Sequence, residues 1–281
     1  MQRPDVTVRR GESATARWQM VTGRPGHHLR GVVDRYVEFL EYSVSPVSRR
    51  EIPGPATVLI IEMGSAVHAA GATETGSLRR VRAFVGCPGR GPALTWHQGA
   101  QHCVEVRLSL PGAYQLFGTM GDFGGRIVDL DSALNISADR LVEQLVAEPD
   151  AGARFGVLDQ MLGDAMASGP SPDPEVLYVW NRLQSTSGSV QIGELLSDTG
   201  WSRSRLATRF RAQTGLTPKA AASVVRLDRA AQQLVAQPTT SLSSMALSCG
   251  YFDQAHFNRD FKNFAACTPL EWQRTQLADL F

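Results

Sequence analysis

The spacing of apolar residues changes character along the chain. In residues 1–130, apolar stretches of about eight positions stand between turn residues, as in 56–63 (ATVLIIEM), 78–85 (LRRVRAFV) and 103–110 (CVEVRLSL). In the last of these, Val104, Val106, Leu108 and Leu110 share one face, the period of a half-buried strand. Joints rich in Gly and Pro, residues 87–92 (CPGRGP) and Pro111-Gly112, separate such stretches, and together they predict a small β-sandwich or barrel. From about Ser137 the period lengthens to three or four. Residues 139–148 and 153–167 are expected to form amphipathic helices on either side of Pro149-Asp150. Within the second, Phe155, Leu158, Leu162 and Ala165 make a seam. That seam either packs on its own β-domain or pairs with the same helix of a second subunit. Residues 169–174 (GPSPDP) mark the next joint, after which Asp173, Pro174 and Glu175 open a helix in good N-terminal order.

Beyond that joint one helical unit is written twice. Residues 192–218 (IGELLSDTGWSRSRLATRFRAQTGLTP) are answered by 242–269 (LSSMALSCGYFDQAHFNRDFKNFAACTP), with one extra residue in the second turn. Gly200 matches Gly250, Trp201 matches Tyr251, Leu206 matches Phe257, Phe210 matches Phe261, and Thr217-Pro218 matches Thr268-Pro269. A short helix ending at a glycine, a tight turn and a second helix with one apolar face form a helix-turn-helix, whose free polar face can enter a major groove. Between the copies, Thr217 is the expected N-cap and Pro218 the first residue of a helix that runs to Pro238. Such a rod is roughly 30 Å long, close to the ~34 Å between successive major-groove faces of B-DNA. One chain could then grip two consecutive turns.

These residues resemble the AraC/XylS family of bacterial transcription regulators over about residues 175–272. The most specific part is the second unit, with Gly250, Tyr251, Gln254, Phe257, Arg259, Phe261, Thr268 and Pro269 in the family's pattern; Arg226-Leu227 in the linking helix also fits. Ala266 departs from it, standing where the first unit has Gly215. That turn either avoids positive φ or carries strain. The resemblance implies a C-terminal all-α domain with two helix-turn-helix units behind an N-terminal cupin-like domain that binds a small effector. The fold expected is therefore α+β, with a cupin-like β-barrel or sandwich at residues 1–135, a helical linker and possible dimerisation region at 136–172, and a DNA-binding domain at 173–281.

Charge adds a little. The whole chain carries +1, but residues 1–180 sum to −3 and 181–281 to +4, so the positive excess sits with the motifs. Of the 28 basic residues only Lys219 and Lys262 are lysine, so no single arginine is singled out by type alone. Cys87, Cys103, Cys249 and Cys267 include no C-x-x-C pair and fit neither a disulfide framework nor the zinc-cysteine cluster of a DNA-repair methyltransferase. The N-terminus has no apolar signal region and no run approaches a membrane span, so the expected location is cytoplasmic, without a membrane partner.

Candidate contacts follow from the two exposed faces. With Ser202 as N-cap, the resemblance places Ser204, Arg205, Ala207 and Thr208 toward bases, and a guanidinium such as that of Arg205 can pair in bidentate fashion with guanine. With Asp253 as N-cap, Gln254, Ala255, His256, Asn258 and Arg259 take the corresponding positions, where Gln and Asn suit adenine and Arg suits guanine or phosphate. Arg203, Arg209, Arg211, Lys219 and Lys262 are expected at phosphates or in solvent. In the N-terminal region, Trp96, His97 and His102 are candidates for lining an effector pocket. His97, His102 and Glu105 also suggest a metal, but four residues including Gly99 separate the histidines, whereas metal-dependent cupins place them one residue apart on one strand face; no metal or cofactor is expected.

The leading expectation is a non-enzymatic, sequence-specific regulator whose expected partners are double-stranded DNA and a small-molecule effector, with a second copy of the chain as a further candidate and, if it activates, RNA polymerase. The alternatives are a ligand-independent DNA-binding adaptor that dimerises through its N-terminal region, and a cupin-type enzyme fused to a DNA-binding module.

Overall fold

The computed structural model describes residues 6–74 and 78–280; residues 1–5 of the N-terminal stretch lie outside the described residues. The strands are β1 (Val6–Glu12), β2 (Ala16–Gly23), β3 (Val33–Ser43), β4 (Val47–Glu51), β5 (Ala56–Glu62), β6 (Val67–Ala70), β7 (Arg79–Val81), β8 (Ala83–Gly86), β9 (Ala93–His97), β10 (Ala100–Ser109) and β11 (Ile127–Asp129). The helices are α1 (Leu110–Phe117), α2 (Leu130–Leu134), α3 (Ala138–Ala147), α4 (Ala151–Met166), α5 (Pro174–Ser185), α6 (Ile192–Thr199), α7 (Arg203–Thr214), α8 (Pro218–Ala236), α9 (Leu242–Ser248), α10 (Gln254–Ala265) and α11 (Pro269–Leu280).

The strands make two antiparallel sheets rather than one closed barrel. The larger runs β1-β2-β3-β10-β5-β8-β11 and the smaller β4-β9-β6-β7. Val67, Ala69 and Val81 of the small sheet meet Ile60, Phe84 and Ile127 of the large one. Period-two alternation sends Leu59, Ile61, Val104, Val106 and Leu108 to the opposite face, where they join one core with residues of α1, α3 and α4.

The seam of α4 belongs to that core. Phe155, Leu158 and Leu162 are fully buried, and Phe155 stacks on Tyr36 of β3 with centroids 5.2 Å apart. Tyr36 donates its hydroxyl hydrogen to Asp159 of the same helix at 2.7 Å. Packing against the helix's own domain therefore consumes the surface that pairing with a second subunit would need.

Two sequence expectations are corrected. Residues 78–85 do not form one strand, because the run breaks at Arg82 and β7 and β8 lie in different sheets. Pro111-Gly112 is not a joint between strands but the first turn of α1. Ser109 caps that helix, accepting from the Gly112 amide at 3.1 Å, and proline is favoured at such a start. The cysteines are free thiols, Cys103 and Cys249 buried and the other two half-buried.

Helices α5 to α11 share a single apolar cluster, to which α1 contributes Leu110. The two domains therefore meet. Helix α1 lies against α7, the Met120 amide donates to the Ala212 carbonyl at 2.8 Å, and Ile52 packs on the C-terminal core.

Candidate nucleic-acid interface

Each helix-turn-helix is built as its sequence requires. Helix α6 stops at Gly200 in the left-handed region (φ 66°), and Ser202 starts α7 by accepting from the Arg205 amide at 3.3 Å. After α9 comes Gly250 (φ 79°), and Asp253 starts α10 by accepting from the His256 amide at 2.6 Å. The extra residue falls between glycine and N-cap. Leu206, Phe210, Phe257 and Phe261 are buried, leaving the opposite faces outward. Thr217 caps α8, accepting from the Ala220 amide at 3.3 Å; the 19 residues of this helix span ~28 Å. A capping box opens α11: the Thr268 amide donates to Glu271 at 2.7 Å and the Glu271 amide to Thr268 Oγ1 at 3.3 Å.

The predicted contact residues differ in how free they are. On α7, Arg203, Ser204, Arg205, Thr208, Arg209 and Arg211 are exposed. Arg205 lies over the Trp201 ring, 4.6 Å from its centroid, a cation–π contact that steadies the guanidinium near the helix N-terminus. Arg209 is already engaged. Its Nε and Nη2 each donate to one oxygen of Asp173 at 2.7 Å, and this pairing holds the Asp173 carboxyl below the usual carboxylate range. Asp173 accordingly precedes α5 without capping it.

On α10, Gln254, Arg259 and Lys262 are exposed, as is Lys219 at the start of α8. His256 and Asn258 are half-buried. The His256 ring sits edge-on to Tyr251, centroids 5.3 Å apart, with Nε2 3.8 Å from Asp260. Asn258 keeps a buried Oδ1 without a hydrogen-bond partner. The turn after α10 takes the strained branch of the sequence alternative. Ala266 adopts φ 54° and donates to the Lys262 carbonyl at 2.9 Å, just as Gly215, at φ 76°, donates to Arg211 at 2.9 Å. The N-terminal domain touches this turn as well, through Arg50 Nη1, 3.5 Å from the Ala266 carbonyl.

Trp96, His97 and His102 do not converge. Neighbours on β9 point to opposite faces, so Trp96 meets His68 edge-on at 5.2 Å, while His97 Nε2 lies near Arg49 and Glu41. His102 faces a third setting, 2.7 Å from Glu38, which also accepts from Arg154 of α4 at 2.9 Å. Among the described residues no group of three His, Cys, Asp or Glu is placed to hold a metal ion. The sequence reading missed a polar group inside the domain: Glu41, Arg49, Gln101 and Glu62. Glu62 is fully buried, and burial pushes its carboxyl up to about 8 although the Gln101 amide bonded to it works the other way. The available signal was a lone glutamate near the end of the apolar run ATVLIIEM.

No helix among the described residues is long and apolar enough to cross a membrane. A family model described as a helix-turn-helix domain matches residues 195–275. Over 96 residues the chain is 30% identical to LumQ of Photobacterium leiognathi, a probable transcriptional regulator; the match covers 34% of this chain and 37% of LumQ, so the chain spans little more than a third of that relative. A probable AraC family transcriptional regulator from Rhodopseudomonas palustris is 28% identical, over 37% of this chain and 97% of that one, with a TM-score of 0.33. ToxT of Vibrio cholerae superposes over 86% of this chain and 98% of its own with a TM-score of 0.52 at 7% identity, a likeness of fold. ToxT also has a structure bound to (E)-4-(8-methylnaphthalen-1-yl)but-3-enoic acid. With both turns, their caps and the joining helix in place, residues 195–275 form a helix-turn-helix domain that matches those of transcription regulators.

Proposed function

We propose that the protein is a sequence-specific DNA-binding transcription regulator that sets α7 and α10 into two adjacent major grooves. One observation carries this reading: the two second helices are each anchored by a buried apolar face and present an exposed face with cations and amides. In this reading Ser204, Arg205, Thr208, Gln254, His256, Asn258 and Arg259 read bases, with Arg205 and Gln254 the most available. Arg203, Arg211, Lys219 and Lys262 meet phosphate, and Arg209 joins them only on leaving Asp173. The protein acts by binding, not catalysis, in the cytoplasm.

The N-terminal domain, residues 1–135, is read as the sensor, by analogy of layout with ligand-bound ToxT. Its contacts with α7 and with the turn at Ala266 offer a route by which a ligand alters the grip on DNA. If the chain dimerises, it does so by a surface other than the α4 seam. Selecting bound fragments from a random DNA pool tests the core claim. Two short conserved blocks centred about 10–10.5 base pairs apart are expected; a pool that shows no enrichment would refute it.

A further inference from the structure

The residue that the second helix-turn-helix has in excess of the first is Phe252. In the first unit Gly200 is followed by Trp201 and then by the cap Ser202; in the second, Gly250 and Tyr251 are followed by Phe252 before the cap Asp253. Phe252 is 86% exposed, more than any other large apolar side chain among the described residues. Its own fold offers the ring no seat. An apolar residue directly before an N-cap commonly packs on the fourth helical residue, here Phe257. That place is taken, because Phe257 is fully buried against Tyr251 with centroids 5.1 Å apart.

The backbone that carries the ring is nevertheless held on both sides. The Phe252 amide donates to His256 Nδ1 at 3.4 Å, the Tyr251 amide before it donates to the Ala246 carbonyl at 2.9 Å, and the Asp253 cap after it accepts from the His256 amide at 2.6 Å. A fixed turn thus presents a bare phenyl ring at the N-terminal end of α10, the end that a helix-turn-helix directs at base edges. In the major groove the apolar group that a base edge offers is the thymine 5-methyl. We propose that Phe252 is a further specificity-determining residue, whose ring covers a thymine methyl at the edge of the block read by α10. The proposal rests on reading the chain as a DNA-binding regulator, and it adds a base preference that the amides and arginines of α10 do not supply.

The test starts from the DNA site selected by the full chain. Each thymine of its two conserved blocks is replaced in turn by deoxyuridine, which keeps the hydrogen-bonding atoms and lacks only the methyl, and affinity is read by fluorescence anisotropy. One replacement is expected to weaken binding of the parent about fourfold, the worth of one buried methyl-sized group. Phe252→Ala should bind the thymine site about fourfold or more weakly than the parent and no longer distinguish thymine from deoxyuridine at that position. Its melting temperature should stay at the parent's, since so exposed a ring supports little of the core. Leu247→Ala is the control. Leu247 is 64% exposed but lies on α9, the helix that crosses the DNA backbone instead of entering the groove, and its loss should leave affinity for both sites unchanged.

The proposal is overturned if Phe252→Ala binds the selected site like the parent, which would assign the ring to a protein partner. It is equally overturned if the site holds no thymine, if no deoxyuridine replacement matters, if Phe252→Ala keeps the parent's sensitivity to one, or if Leu247→Ala loses as much. A random pool with no enriched block ends the DNA-binding reading itself, whereas an enriched site indifferent to the methyl ends only this assignment.

Discussion

The two helix-turn-helix units share a plan but hold their reading helices by different means. The second is locked by rings: Tyr251, Phe257, Phe261 and Trp272 contact one another in sequence, with centroids 5.1, 5.7 and 5.8 Å apart. In the first, Leu206 stands where Phe257 stands in the second, and its helix is steadied from outside by α1, by the Met120 amide and by the pairing of Arg209 with Asp173. Their surfaces differ to match. Helix α7 carries Arg203, Arg205, Arg209 and Arg211, whereas α10 offers Gln254, Asn258 and Arg259 beside Asp260. The turn and the core positions are shared while charge and neighbours differ, so on the proposed reading the first unit carries more cations, suited to guanine and phosphate, and the second more amides, suited to adenine.

Removing one aromatic from each unit should show the largest effect. Phe261→Ala and Phe210→Ala each empty a fully buried site and are expected to cost about 3–5 kcal/mol in denaturant unfolding. If the ring ladder matters as described, Phe261 should stand at the upper end of that range. Next come the contacts with DNA. Arg205→Ala and Arg259→Ala should each weaken binding to the selected site by about 1–3 kcal/mol if they read bases. An equal loss on random DNA would assign that arginine to phosphate.

The turns provide a finer contrast. Gly215→Ala imposes a left-handed penalty of about 1–2 kcal/mol, and its Cβ would press on the Met120 carbonyl at 3.2 Å. Ala266→Gly should do the reverse and raise stability by about 0.5–1 kcal/mol, since relief of the same strain is partly offset by a freer unfolded chain. Thermal melts of the two variants should therefore move in opposite directions. The smallest effect is electrostatic. Asp173→Asn releases Arg209 and should steepen the dependence of DNA affinity on salt by about 0.9 in log–log slope.

Legibility in the sequence followed the same divide. In the C-terminal domain four helix starts were marked: Ser202, Thr217, Asp253 and Thr268 cap the helices expected of them. Local signals suffice there because a cap, a proline and a glycine act within one turn of backbone. In the N-terminal domain β1, β2 and β3 escaped notice. Strand β3 (VDRYVEFLEYS) mixes charged residues onto both faces, since Glu38 is paired with Arg154 and Glu41 with Arg49. A strand whose buried positions are acidic has no apolar alternation to detect, and its partners lie far away in sequence. The same cause hid the polar group of Glu41, Arg49, Gln101 and Glu62. Trp96, His97 and His102 were near one another in sequence and separated by the pleat, whereas Glu41 and Gln101 are distant in sequence and brought side by side by pairing.

Helix α8 is expected from the sequence as a spacing rod, yet its buried residues from Ala221 to Leu234 lie in the same apolar cluster as Val176, Phe210, Phe261 and Trp272. The two grips thus share one apolar body, and amputating either is expected to destabilise the other. A fragment ending before Leu242 would expose oily surface on the rod and aggregate, and local fraying at either end would be felt at the far groove as a loss of purchase.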